Sequence, residues 1–495
     1  MNKSKELGDF QTPKELAQLI IEILRKKDFT PDVIIEPTCG KGSVLVEAEK
    51  SFSNAEILGI EIQREYVDFL FPHIDQNTNI VNADFFNSID LIKSFVDKNE
   101  NLLFVGNPPW VTNSELSTID GSNFPKKYNI DDLRGIEAIT GKSNFDICES
   151  IIMQLISEFS DKQSIFSFLC KTAVARKIMQ RLWKNNFKYK DAELYPVDSK
   201  KYFSAAVDSC FFILDCTEKK SVTTLKIFNS IEERKFTNES GFVNGIYITD
   251  VSKMDSLEVC GKSIFTWHNG IKHDSAKILE LKNDNGILKN GKGETVDVEN
   301  ELLFPLLKSS DIANNDFEME RKILVTQKYI GESTDYIKSK FPKIWSYLEN
   351  NESYFCKRKS VIYKNKPRFA IFSVGDYTFK PYKIAISGLY KNLNFVLIGP
   401  KNGKPVMLDD TCNYISFDDI ESAKFVFTLL KSDVVKEYLS ARISFDSKRP
   451  VTTEILNSID LEKVAQLKNK TDDFFSLFKI CISPSLFTDS ELKVV

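Results

Sequence analysis

Histidine is nearly absent from this chain: His73, His268 and His273 are the only three in 495 residues. That scarcity argues against a histidine-centred metal site. The nine cysteines include no Cys-x-x-Cys pair, so no zinc spacing emerges, and an odd number without a secretory segment points to a reducing compartment. No apolar run reaches the about 18 residues that a membrane span requires. The amino terminus carries Lys3, Lys5 and Glu6 and lacks the hydrophobic region of a signal peptide. A strong positive charge is missing as well. The formal net charge of −4 excludes a uniformly basic coat, although the sign along one face matters more than the total.

What is present fits a folded chain with 42% hydrophobic and 27% charged residues, long enough for two or three cores at roughly 100–200 residues each. The 38 phenylalanines are mostly core by ordinary aromatic burial. After Gln11-Thr12-Pro13, the spacing predicts an amphipathic helix over 14–26, with Thr12 as cap and Pro13 in its first turn. Short apolar strands follow at 33–36, 57–61, 80–83, 102–106, 165–169, 191–195 and 206–215. Helices are predicted between them, near 146–159 and 171–186 among others. This alternation predicts a Rossmann-like α/β layer with a mostly parallel sheet.

Past the polar break at Thr217-Glu218-Lys219-Lys220 the pattern changes. The boundary is placed between 216 and 260, giving domains of 1–240 and 241–495. The second half reads as mixed α+β. Helices are expected near 300–309, 334–350 and 419–440, with a further helical portion at 451–469. Strands are expected at 367–373, 382–387 and 394–398.

Four strand ends carry the chemistry. Val33-Ile34-Ile35-Glu36 runs into Pro37-Thr38-Cys39-Gly40-Lys41-Gly42. This turn lacks both the full Gly-x-Gly-x-x-Gly pattern and the Gly-Lys-Ser/Thr of a phosphate loop. Gly40 and Gly42 still allow a ligand close to the backbone at the carboxyl end of the strand. Glu36, Thr38 and Gly40 are therefore candidates for ligand contact. Glu61 ends the next strand, where a carboxylate accepts both hydroxyl hydrogens of a ribose. Asp84 follows the third strand, placed to accept from an adenine amino group, with Phe85 positioned to cover the ring. Solvated helix caps are the plain alternative for both acids.

The fourth strand, Leu102–Gly106, ends in Asn107-Pro108-Pro109-Trp110. Asn107 offers a side-chain acceptor and Pro108 a carbonyl on a stiff turn. Two acceptors on one exocyclic amine draw its nitrogen toward tetrahedral geometry. Trp110 adds a face for a flat ring, and such stacking is worth about 1–3 kcal/mol per base. A tight proline turn with a core tryptophan is the alternative. Together these strand ends suggest a methyl-donor site beside an amine-acceptor site.

In these motifs the sequence resembles the S-adenosylmethionine-dependent adenine-N6 DNA methyltransferases of type II restriction–modification systems. Gly8-Asp9-Phe10-Gln11-Thr12-Pro13, the 36–42 loop, Glu61, Asp84 and Asn107–Trp110 carry the likeness, strongest over 8–215, in the gamma motif order. The resemblance implies that Gln11, Thr12 and Pro13 line the donor's methionine end. It implies ribose binding at Glu61, donor-adenine contact at Asp84, and target-amine binding at Asn107 and the carbonyl after it. Phe145, in Gly141–Asp146, would cover the donor adenine. Phe203, followed by the small residues Ser204-Ala205-Ala206, would hold an everted target adenine opposite Trp110, with Tyr195 and Tyr202 as lesser candidates. Lys41 and Cys39 depart from the family's usual small residues, so the lysine must point outward or toward a carboxylate.

The expected cofactor is S-adenosyl-L-methionine and the expected partner double-stranded DNA containing a specific adenine target. A cognate restriction endonuclease, no membrane, no metal, and a bacterial or archaeal cytoplasm complete the expectation. An adenine inside a duplex must leave the stack to be methylated. Basic groups with interleaved aromatics, Lys357-Arg358-Lys359 and Lys364, Lys366 and Arg368 around Tyr363, point to phosphate contact near 353–370. Lys272 with His273, Arg442, Lys448 and Arg449, and the loop Asp376–Lys383 are further candidates. No Pro-Asp…Glu-x-Lys nuclease pattern occurs. RNA or protein-glutamine methylation and a non-catalytic DNA-binding protein remain the alternatives.

Overall fold

The computed structural model describes residues 10–111, 146–284, 286–445 and 449–478. They fall into two compact units, Met1–Ser252 and Lys253–Val495.

The first unit is built on ten strands: β1 Val33–Glu36, β2 Glu56–Glu61, β3 Thr78–Asn82, β4 Asn101–Gly106, β5 Gln163–Lys171, β6 Asp191–Val197, β7 Ser209–Asp215, β8 Thr224–Phe228, β9 Phe236–Val243 and β10 Ile246–Ile248. Their order is β10-β9-β8-β6-β7-β5-β4-β1-β2-β3. From β3 to β5 every neighbouring pair is parallel. Beyond β5 the rule changes: β7 lies antiparallel between β5 and β6, and β9 and β10 add antiparallel hairpin strands. The chain leaves β1 in one direction for β2 and β3, and returns on the other side for β4. At such a reversal the loops diverge and leave a crevice at the carboxyl ends of the strands. Glu36, Glu61, Asp84 and Asn107 all sit at those ends.

Period-2 alternation divides the core between the two faces of the sheet. Val33, Ile35, Leu58, Ile60, Leu102 and Phe104 pack on one side with α5 (Ile147–Phe159) and α6 (Thr172–Lys184). Ile34, Ile57, Leu103 and Val105 pack on the other with the apolar stripes of Lys14–Arg25 and Ser43–Ser51. Those two helices and Arg64–Leu70, Ile89–Phe95 and Ser199–Phe203 are α1, α2, α3, α4 and α7 in chain order. The start of α1 corrects an expectation: Pro13, extended at φ −62° and ψ 148°, is itself the cap, and its carbonyl accepts from Ala17 N at 3.0 Å. Thr12 precedes the cap and is buried.

The second unit holds a five-stranded and a four-stranded sheet with helices packed on them. Two expectations fail here. Residues 300–309 contain a strand, Leu303–Leu307, rather than a helix; the run Leu302-Leu303-Phe304-Pro305-Leu306-Leu307 is apolar throughout, which does not separate helix from strand, and Pro305 disfavours a helix interior. Residues 367–373 form no strand, because Phe369 (φ 57°) and Ser373 (φ 55°) take left-handed conformations that break the extension. The helices expected at 419–440 and 451–469 are each two: Ile420–Leu430 with Asp433–Arg442, and Thr453–Asn457 with Leu461–Leu467. Among the described residues no helix is long and apolar enough to cross a membrane.

Lys383, on the strand Tyr382–Ser387, is only 1% exposed. Its Nζ donates to the Lys380 carbonyl at 2.8 Å, and burial lowers its pKa to about 7. Between that value and the usual lysine range the unfolded chain holds a proton that the folded chain has released. Stability should therefore rise with pH over this window and fall as pH drops through 7. Urea unfolding from pH 6 to 9 should show the rise in the wild type and a flatter profile in Lys383→Met. Parallel profiles would mean that the lysine keeps its charge inside.

Candidate active site

The turn after β1 is shaped by its glycines. Gly40 (φ +54°) and Gly42 (φ +73°) are left-handed, a region that L side chains disfavour. A Cβ on Gly40 would lie 2.7 Å from Gln11 Oε1, and one on Gly42 would run into Leu70. Close packing here serves a bonding pattern. Gly40 N donates to Glu61 Oε2 at 2.8 Å, and Lys41 N donates to Gln11 Oε1 at 2.9 Å. Glu61 Oε1 accepts from Gln63 N at 2.7 Å. Backbone donors thus fix both oxygens of Glu61, while a carboxylate oxygen has a second lone pair for a further donor. The Lys41 ammonium lies 5.7 Å from the ring centroids of Tyr66 and Phe69, directed over α3 rather than into the turn.

Glu36 is buried at 3% exposure. Desolvation pushes its carboxyl well above the usual range, the nearby Glu61 adds to this, and a hydrogen bond from the Leu45 amide opposes it. Glu36 Oε2 and Thr38 Oγ1 are buried with no hydrogen-bond partner among the described residues. Unpaired acceptors of this kind are costly, so they mark a place where a donor or cation gains. A ligand carrying a sulfonium and an ammonium fits that demand.

Asp84 does cap a helical turn: its Oδ1 accepts from Phe86 N at 3.1 Å at the start of Phe85–Asn87. The second oxygen has only a 3.4 Å contact with Asn87 Nδ2. Phe85 is a core side chain, 3% exposed and packed with Ile60 and Phe104. Phe145 lies outside the described residues.

At the end of β4, Asn107 Nδ2 donates to the Phe10 carbonyl at 2.6 Å. The amide is thereby oriented, and its Oδ1 is a buried acceptor with no partner among the described residues. Pro108 is buried beside it and Pro109 half-buried. Trp110 and Phe203 meet edge to face with ring centroids 5.1 Å apart. The structure brings these two rings into contact with each other. Phe203 ends α7, which Asp198 caps through Lys200 N (2.9 Å) and Lys201 N (3.0 Å). The lesser candidates are engaged elsewhere: Tyr195 stacks on Phe228 at 4.3 Å and donates to Glu193, and Tyr202 donates to Glu232. Sequence reasoning missed Phe10. Its ring lies 5.3 Å from Trp110 and 5.9 Å from Phe203, and its place beside Gln11 and Thr12 was the signal available.

In the second unit, three arginines of the basic clusters contact other protein groups. Arg358 donates to the Ala370 carbonyl at 2.6 Å and lies 3.7 Å over Tyr363; Arg368 pairs with Glu352 and Glu349; Arg449 pairs with Asp410. Lys359, Lys364 and Lys366 are exposed and make no ion pair among the described residues. They line a cleft of about 420 Å³ with Val361, which is 82% exposed. The segment Asp376–Lys383, expected as a loop, is instead a helical turn, Asp376–Phe379, leading into the strand Tyr382–Ser387; Lys380 pairs with Asp418, and Tyr377 stacks on His268 at 3.6 Å. Lys448 lies outside the described residues.

The family described as N-6 DNA Methylase matches residues 1–159. Over 470 residues the chain is 42% identical to the type II methyltransferase M.NspV of Nostoc sp., covering 93% of this chain and 98% of that protein. A shorter match, 32% identical over 105 residues, joins it to the type II methyltransferase M.CvrRI of Paramecium bursaria Chlorella virus XZ-6E, covering 21% of this chain and 25% of that protein. The fold is similar to that of MmeI, a type IIL restriction-modification enzyme solved with DNA (TM-score 0.56, 12% identity, 93% of this chain and 68% of that one). The fold and site are those of an S-adenosylmethionine-dependent methyltransferase. The chain belongs to the adenine-N6 DNA methyltransferases of type II restriction–modification systems.

Gly40→Ala should strain the turn by about 1–2 kcal/mol through its left-handed backbone, and displace Gln11 as well. Lower thermal stability and weaker S-adenosylmethionine binding in calorimetry are expected. Unchanged values for both would show that the turn tolerates a side chain.

Proposed function

We propose that the four strand ends divide the reaction between them, with donor contacts at Gln11, Thr12, Pro13, Glu36, Thr38, Gly40, Glu61 and Asp84, and acceptor contacts at Asn107 to Trp110. S-adenosylmethionine, when bound, supplies the electrophilic methyl group. Glu61, at the end of β2, accepts the ribose hydroxyls, and Asp84 accepts from the donor adenine. A cationic ligand favours the charged form of Glu36 and so offsets the desolvation that raises its carboxyl.

The observation that carries this reading is Asn107, whose nitrogen is committed to Phe10 and whose oxygen is buried with no partner among the described residues. That oxygen accepts one hydrogen of the target N6 amine and the Pro108 carbonyl accepts the other. Held by two acceptors, the nitrogen loses conjugation with the ring and its lone pair becomes available for in-line attack. Fixing the geometry in advance is where much of the acceleration comes from. The proton leaves during or after methyl transfer, so no strong base is required. Trp110 and Phe203 hold the everted base, and their contact helps offset the few kcal/mol of unstacking.

The substrate is a specific double-stranded DNA sequence. The second unit serves as the target-recognition domain, with Lys359, Lys364 and Lys366 on phosphates. Methylation protects that sequence from a cognate restriction endonuclease in the cytoplasm.

Incubation with labelled S-adenosylmethionine and duplex DNA, RNA or protein should give N6-methyladenine in duplex DNA only. Label in protein or RNA but never in DNA would overturn the substrate. Asn107→Ala should lower kcat at least about a hundredfold, in line with loss of a transition-state contact, while donor affinity stays near wild type. Normal turnover would remove Asn107 from the mechanism. Changing Lys359, Lys364 and Lys366 together to Gln should weaken DNA binding and reduce the slope of log K against log salt by about 2–3. An unchanged slope would assign those lysines to plain surface.

A further inference from the structure

Base capture demands room that the aromatic cluster does not leave. Trp110 and Phe203 stand 5.1 Å apart, already in contact, whereas a base between them would separate the rings to roughly 9 Å, two shortest aromatic contacts in series. Phe10 closes the triangle, touching Trp110 at 5.3 Å and Phe203 at 5.9 Å. Trp110 and Phe203 are both buried, at 4% and 8% exposure. The acceptor that an adenine amine would satisfy, Asn107 Oδ1, three residues before Trp110, is buried with no partner among the described residues. The binding groups are thus assembled and the space between the rings is closed.

We propose that the Phe10 ring is a stand-in for the target base: in the DNA-free protein it shields Trp110 and Phe203 from water, and an everted adenine must displace it to reach Asn107. The proposal rests on the methyltransferase reading and adds a positioning residue to it. Phe10 has two separable parts. Its main-chain carbonyl holds the Asn107 amide nitrogen, which fixes the amide oxygen as the acceptor. The side chain competes for the space the base enters. The backbone bond survives any substitution at this position, so a variant of the side chain tests the competition alone. Displacing the ring breaks its two aromatic contacts and opening the gap breaks the one between Trp110 and Phe203, while a base stacked on both of those rings restores comparable ones. The exchange is near balance, so a cognate adenine can enter while the cluster stays dry without DNA.

The test compares two duplexes that share the recognition sequence mapped with the wild-type protein. One carries the target adenine and the other an abasic site at that position, both bound in the presence of S-adenosylhomocysteine to prevent turnover. The ratio of Kd for the abasic duplex to Kd for the adenine duplex measures base capture free of other DNA contacts. Phe10→Ala should raise this ratio about three- to tenfold over wild type, because entry no longer breaks the Phe10 contacts. Phe10→Leu, which keeps apolar bulk, should raise it less. Donor affinity should stay within about twofold in both variants, since the carbonyl that orients Asn107 remains. An unchanged ratio would overturn the proposal, and so would a lower one, which would make Phe10 a wall for the base rather than its competitor. If Phe10→Ala does not fold, the direction of the ratio in Phe10→Leu decides. Absence of adenine methylation by the wild-type protein would instead overturn the reading on which this proposal rests.

Discussion

The hydrogen bond from Asn107 Nδ2 to the Phe10 carbonyl joins two segments 97 residues apart, and the acceptor half of the site depends on it. An asparagine amide can present a donor or an acceptor, and which one it offers is set by what the other end holds. Here the donor is consumed by a backbone carbonyl at the lead-in to α1, and the oxygen is left inside with no partner among the described residues. A buried acceptor in that state is destabilising by itself, with a cost of about 1–3 kcal/mol. It is tolerable because the sheet and α1 hold both segments rigidly. In the proposed reaction this group is set for an amine in advance, which avoids reorganisation at the moment of reaction.

The donor half follows the same economy through charge. Glu61 is held by two backbone amides, and Glu36 is buried near it with desolvation suppressing its charge. Two carboxyls so placed repel when both are ionised. A cationic ligand relieves that repulsion. Gln11 connects the halves: its side chain braces Lys41 N in the donor turn, while its neighbour Phe10 braces Asn107. One short segment ahead of α1 therefore sets both loops.

The fold was readable in the residues. Continuous apolar strands with period-2 packing gave β1 to β5, and the side chains on which the proposed donor and acceptor sites rest stand at four strand ends. Where reading failed, the reason is local. The apolar run at 302–307 is compatible with either helix or strand, and the left-handed Phe369 and Ser373 leave no mark in composition. Among the basic clusters, only coordinates separate arginines spent on carbonyls and carboxylates from lysines left facing solvent.

Sequence by itself determined the kinds of groups present and the strand ends on which they stand, because hydrophobic periodicity and turn chemistry are short-range properties. Tertiary structure alone decided which amide end of Asn107 faces inward, that Glu36 is stripped of water beside Glu61, and that Phe10 closes on Trp110 and Phe203. Those facts depend on neighbours distant in the chain, and a hydrogen bond, a desolvation or a ring contact exists only once folding has brought the neighbours within a few ångströms.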